Sequence, residues 1–143
     1  MNLLPNRAVL AIAAVVDVAL YARPMPVASK TLTARHRLSP RRLELLLQAL
    51  VQANILKGVR GPGGGYDLAR ERRQITIGEI VRAALALSTA GPSQIGASSG
   101  LFQKIIEPAV RKAADGFLAN LDALTVEDLC AEAVEVRILE SGD

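Results

Sequence analysis

Two runs decide the fold: Ser39-Pro40-Arg41-Arg42-Leu43-Glu44-Leu45-Leu46-Leu47-Gln48, and, after a short apolar stretch, Val59-Arg60-Gly61-Pro62-Gly63-Gly64-Gly65-Tyr66. The first opens a helix, because a serine hydroxyl can cap the free N–H groups and proline suits the first helical position. Leu43, Leu46, Leu47 and Leu50 recur at helical spacing and face a core. The opposite face carries Arg41, Leu45, Gln48 and Gln52, flanked by Arg42 and Glu44. Such side chains offer the donors and acceptors that pair with base edges in a major groove. The same pattern is also that of an ordinary solvated helix face.

The second run reads as a β-hairpin. Ile55–Arg60 is the outgoing strand, 61–65 the tip and Tyr66–Ala69 the return. The glycines at 61, 63, 64 and 65 let the backbone turn sharply and approach a phosphate with its N–H groups. The string lacks the Lys-Ser/Thr of a phosphate loop, and the dinucleotide spacing fails at Tyr66. Arg60, at the base of the hairpin, is placed for phosphate or minor-groove contact.

Working back toward the N-terminus, Arg23-Pro24-Met25-Pro26 ends a helix running from about Leu4 to Tyr21, since neither proline can continue it. A short helix follows from Ser29, as N-cap, to His36. Joined to the Ser39 helix by Arg37-Leu38, it makes a helix-turn-helix. The apolar run Ala8–Val16 after Arg7 imitates a short leader. Asp17 interrupts it, and no stretch reaches the roughly 20 apolar residues of a membrane span. A cytoplasmic chain is expected, with its first helix buried nearly all round.

Charge divides the chain. Residues 1–73 carry twelve Lys/Arg against four Asp/Glu, a balance of +8, whereas 74–143 carry five against ten, or −5. A basic first half fits a polyanion partner. One Cys and one His leave little for metal or nucleophile chemistry, and a disulfide-stapled scaffold is excluded. No carboxylate pair or nucleophile–base set appears, so no enzyme is expected. His36, between Arg35 and Arg37, reads as a phosphate neighbour or surface residue.

Leu43-Glu44, the Val59–Tyr66 string, Leu68-Ala69 and Ile75-Thr76-Ile77-Gly78-Glu79-Ile80 together closely resemble the winged-helix transcription regulators of the IscR, NsrR and CymR type. The resemblance extends over most of the chain. It implies a mainly α fold, with a small β-hairpin wing and a long C-terminal dimerisation helix. It also implies DNA contacts by Glu44 and Arg60. Ser39, Arg41, Arg42, Leu45, Gln48, Gly61, Gly63, Gly64 and Gly65 complete the expected DNA-binding set. Two departures stand out. Arg37 occupies a turn position where relatives usually have glycine, and Leu45 one where they often have glutamine.

In the second half, Thr76 and Glu79 form a capping box that opens a helix to about Leu87. Ser88–Gly100 is a Ser, Gly, Ala and Pro stretch. In iron–sulfur relatives this loop holds three cysteines; here Pro92, Ser93, Ser98 and Ser99 stand in their place, so no cluster or other cofactor is expected. Leu101–Leu124 is helical, and Pro108 either kinks that helix or starts it. Val110, Ala113, Ala114, Phe117, Leu118, Leu121 and Leu124 form a stripe, of which Val110, Ala114, Phe117, Leu118 and Leu121 are the expected dimerisation residues. Thr125 and Asp128 open a last helix, where Cys130 is a small buried hydrophobe. The expected division is 1–88 for DNA binding, 89–100 for the altered loop, and 101–143 for dimerisation. The expected function is a homodimeric repressor on a near-palindromic operator, answering to an unidentified effector or partner protein. The alternative is a winged helix that docks a protein.

Overall fold

A computed structural model describes residues 3–87 and 99–136. The chain runs through helices α1 (Asn6–Tyr21), α2 (Ser29–His36) and α3 (Pro40–Gln52), strands β1 (Leu56–Val59) and β2 (Gly65–Leu68), then helices α4 (Ile77–Leu85), α5 (Glu107–Asp122) and α6 (Val126–Glu135). This is a mainly helical winged helix-turn-helix. Most of the Ser88–Gly100 stretch, with Pro92, Ser93 and Ser98, lies outside the described residues.

α1 is the central post. Its small residues Ala8, Ala11 and Ala14, with Val15 and Val18, are fully buried, and they let α4, α6, α2, α3 and β2 approach it closely. Leu32 of α2, Leu43, Leu47 and Leu50 of α3, and Ile80 and Val81 of α4 complete an aliphatic core. Each such side chain contributes about 1.5–3 kcal/mol by leaving water.

α3 starts as its sequence dictates: Ser39 Oγ accepts from the Arg42 N–H at 3.3 Å, and Pro40 occupies the first turn. α2 does not. Its N-cap is Ala28 rather than Ser29, and no side chain caps it. The neighbouring Val27 pairs with Tyr66 through bonds of 2.8 and 2.9 Å, so the chain is already held there by a single β-bridge beside β2. α2 ends at Arg37, which adopts a left-handed conformation with φ 53° and ψ 47°.

β1 and β2 are antiparallel, with Leu56 opposite Leu68 and Val59 opposite Gly65. α4 and α6 both begin in complete capping boxes, Thr76 with Glu79 and Thr125 with Asp128. The two N-caps face each other in a β-bridge: the Ile77 N–H donates to Leu124 O at 2.8 Å and the Val126 N–H to Ile75 O at 2.9 Å. α6 thereby returns to α1 and buries Val126 and Cys130.

Of the two expected roles for Pro108 it is the helix start that is found, after a π-helical turn at Phe102–Ile106. The Glu107 N–H reaches back to Phe102 O, and α5 restarts with Pro108 in its first turn, where its missing N–H costs nothing. α5 packs on α4. Leu118 and Leu121 turn inward against this chain's own core, whereas Val110 is 62% exposed and Ala114 is exposed. Phe117 is half-buried.

Candidate nucleic-acid interface

The outer face of α3 is bare. Ser39, Arg41, Arg42, Glu44 and Gln48 are all exposed, and Leu45 is 47% exposed, an unusual position for a leucine unless something covers it. Burial of the four α3 leucines on the other side fixes this orientation, so the helix cannot rotate its polar face away.

The hairpin lies alongside. A cleft of about 560 Å³ is lined by Glu44 and Pro40 of α3, Ser29 and Lys30 of α2, and Tyr66 of β2. A second, of about 580 Å³, is lined by Ser29, Lys30 and Tyr66 again, together with Arg60 and Gly64. The start of α2 therefore joins the exposed helix face to the wing. Lys30 and Tyr66 were not singled out by sequence reasoning. No pattern in the chain announces that both border the two clefts, because this depends on Val27 pairing with Tyr66.

Electrostatics separates this region from much of the remaining surface. Arg23, Arg70, Arg72, Arg82 and Arg111 are each paired with a carboxylate: Asp67, Glu79, Glu127, Asp122 and Glu107. Among the described residues, Lys30, Arg37, Arg41, Arg42, Lys57 and Arg60 enter no ion pair. Unneutralised cations on one side of a fold raise the local potential for a polyanion. Arg7, Arg73, Lys104 and Lys112 are also outside ion pairs, and Arg35 of α2 is paired with Asp17, so the feature is a bias of the region rather than its exclusive mark.

The wing glycines prove to be required by the protein itself. Gly61 and Gly63 have φ of 102° and 75°. A Cβ on Gly64 would overlap Val59 O, and one on Gly65 would overlap Val27 O. The Gly64 N–H is already spent on Gly61 O at 2.9 Å, so this donor is not free for a phosphate.

His36 departs from expectation more clearly. It is neither a surface residue nor turned toward a phosphate: its Nε2 lies 2.8 Å from Asp17 Oδ2, and Arg35 Nη1 lies 2.8 Å from Asp17 Oδ1. Asp17 is the buried charged residue of the described core. The aspartate that breaks the apolar run of α1 is the signal that could have found this cluster.

The model of the family described as "Rrf2: Iron-dependent Transcriptional regulator" matches residues 4–132. This chain belongs to the Rrf2 family. The IscR regulator of Vibrio atlanticus is 38% identical over 73 residues, covering 51% of this chain and 42% of its own. The chain's match thus spans about half the length or less of the curated relatives. Among solved structures, T. potens IscR superposes with a TM-score of 0.72 at 28% identity, over 94% of this chain and 90% of its own. CymR, the global cysteine regulator of B. subtilis, does so with 0.66 at 25%, over 92% and 98%. Rrf2 members are DNA-binding transcription regulators rather than enzymes. No described helix is long and apolar enough to cross a membrane.

The family's description names iron, but the donors here do not fit a thiolate-held cluster. The chain has one cysteine. Cys130 is buried in α6, and burial pushes its thiol above the ordinary range, against an opposing effect of Arg72. Residues 88–100 contain no Cys, His, Asp or Glu. Serine hydroxyls, neutral at ordinary pH, do not replace thiolates.

Proposed function

We propose that this Rrf2 protein is a homodimeric, sequence-specific repressor of the cytoplasm that works without an iron–sulfur cluster in the usual loop. One α3 per subunit enters the major groove of a near-palindromic operator. Glu44, Leu45 and Gln48 meet base edges, while Ser39, Arg41 and Arg42 seat the helix on the backbone. Arg60 and the Gly61–Gly65 tip track the adjacent phosphates or minor groove. The observation that carries this reading is the continuous surface from Glu44 to Arg60 through Ser29, Lys30 and Tyr66, with its cations unneutralised.

Residues 1–88 supply the DNA-binding region and 101–143 the pairing of subunits. The outward members of the C-terminal stripe, Val110, Ala114 and Phe117, continued by Phe102 and Ile106 ahead of it, supply the two-fold contact, with Leu118 and Leu121 holding α5 to its own subunit. The signal enters through an effector or partner other than a three-cysteine cluster. Selection from a randomised duplex pool, with native mass spectrometry of the selected complex, tests all three parts. The expected species is a protein dimer on one palindromic duplex, with no iron or sulfide mass. Failure to enrich any duplex would favour a winged helix that docks a protein.

A further inference from the structure

α2 is a weak helix to set half of a DNA-binding motif upon. It has eight residues, no side-chain N-cap and one fully buried side chain, Leu32. An isolated helix of this length does not persist in water. Its first turn is held from outside by the Val27–Tyr66 pairing. Its last turn is held by Asp17, on the central helix α1. Both carboxylate oxygens are used, Oδ1 by Arg35 and Oδ2 by His36, each at 2.8 Å. The Arg35 guanidinium also lies 4.2 Å from the centroid of the Tyr21 ring, one turn further along α1. Immediately beyond these residues comes the left-handed Arg37, the turn, and the start of α3.

We propose that Asp17 is a positioning residue for DNA recognition. By gripping Arg35 and His36 it fixes the end of α2, and with it the turn that sets the angle at which α3 is presented. The proposal rests on the DNA-binding reading. Arg35 supplies the permanent charge that makes a buried carboxylate tolerable, and His36 supplies a directional N–H to the second oxygen. The role required of His36 is that of a donor at the Nε2 position, so glutamine, which places an N–H at a similar reach, should substitute for it. Leucine should not, because it leaves an acceptor buried and unmet.

The test uses the full chain and two probes: a duplex selected by the unaltered protein from a randomised pool, and an unselected duplex of the same length. His36→Leu is expected to bind the selected duplex about tenfold more weakly, the fold-change of one unmet buried acceptor. Its salt slope should be unchanged, since no phosphate contact is lost. His36→Gln should restore the affinity. Amide exchange at residues 33–38 of the free protein should quicken in the Leu variant and not in the Gln variant, while α4 stays protected. Asp17→Asn, which keeps an acceptor but loses the charge, should fall between them. Equal binding by the unaltered and Leu proteins would overturn the positioning role. So would a Gln variant with a salt slope shallower by one unit, which would make His36 a phosphate contact. If the unaltered protein enriches no duplex, the DNA-binding reading itself fails, an outcome separate from either of these.

Discussion

Gly78 is a glycine because of Asp122: a Cβ at Gly78, in the first turn of α4, would overlap the Asp122 carboxylate at the end of α5. Arg82, one turn further along α4, holds that carboxylate with both guanidinium nitrogens. Gly78→Ala should therefore break the Arg82–Asp122 pair and loosen α5. In an Asp122→Ala background the same change loses most of its steric cost and keeps a helix-propensity gain of about 1 kcal/mol. Chemical denaturation of the four proteins in this cycle should show Gly78→Ala destabilising in the first background and stabilising in the second. Simple additivity would count against the contact.

The same pair gives a pH signature. The hydrogen bond from Arg82 holds the Asp122 carboxyl below its ordinary range. A carboxyl depressed on folding contributes stability that is complete above the unfolded value of about 3.9. That contribution is lost as pH falls through the lower folded value. Asp122→Asn and the unaltered protein should thus differ in thermal midpoint at neutral pH and converge in strong acid. A difference that grew on acidification would contradict the assignment.

Arg37 carries a left-handed backbone without being glycine, a strain of about 1–2 kcal/mol. Arg37→Gly should raise the thermal midpoint, although glycine's greater freedom in the unfolded chain offsets part of the gain. It should also weaken DNA binding, because an unneutralised cation beside α3 is removed. A variant no more stable than the parent would show that the neighbouring contacts already relieve the turn.

Arg60→Ala and Glu44→Ala should fail differently. Loss of Arg60 should weaken binding to every duplex and make the salt slope shallower by about one. Loss of Glu44 should relax preference at one base pair by about 1–3 kcal/mol, while holding or raising non-specific affinity, since a carboxylate repels phosphate. Titration against single-base-pair variants at two salt concentrations separates the two. A uniform loss from Glu44→Ala would remove it from base readout.

On α5, Val110→Asp and Leu121→Asp should also part company. Val110 faces out, so a charge there should yield a folded monomer by sedimentation. Leu121 packs on the chain's own core, so a charge there should lower the thermal midpoint as well. Phe117→Asp, at a half-buried position, should dissociate the dimer. An unchanged dimer in both Val110→Asp and Phe117→Asp would move the interface elsewhere.

The helix-turn-helix and wing were legible in the chain because their signals are local. Ser39-Pro40 caps, the α3 leucines repeat at helical spacing, and glycines mark the tip. The two capping boxes were legible for the same reason. What was hidden depends on partners distant in sequence. Asp17 looked like an interruption of an apolar run, and His36 like a surface residue between two arginines, until folding set them 2.8 Å apart. The cap of α2 was misplaced because Val27 is held by Tyr66, leaving Ser29 nothing to do as a cap. The stripe of α5 gave its periodicity but not its division, since inward Leu118 and outward Val110 look alike until α4 is in place.

The bridge between Thr76 and Thr125 has a further consequence. It ties the chain at a neck: whatever lies from Ile77 to Leu124 leaves and returns at one point. A closed excursion of this kind pays only a logarithmic entropy for its length, about 0.6 kcal/mol for each doubling. Lengthening the connection between α4 and α5 should therefore cost the wing and α3 little. On the proposed reading, the neck would make the input of this regulator portable, so that one DNA-reading head serves signals of different chemistry.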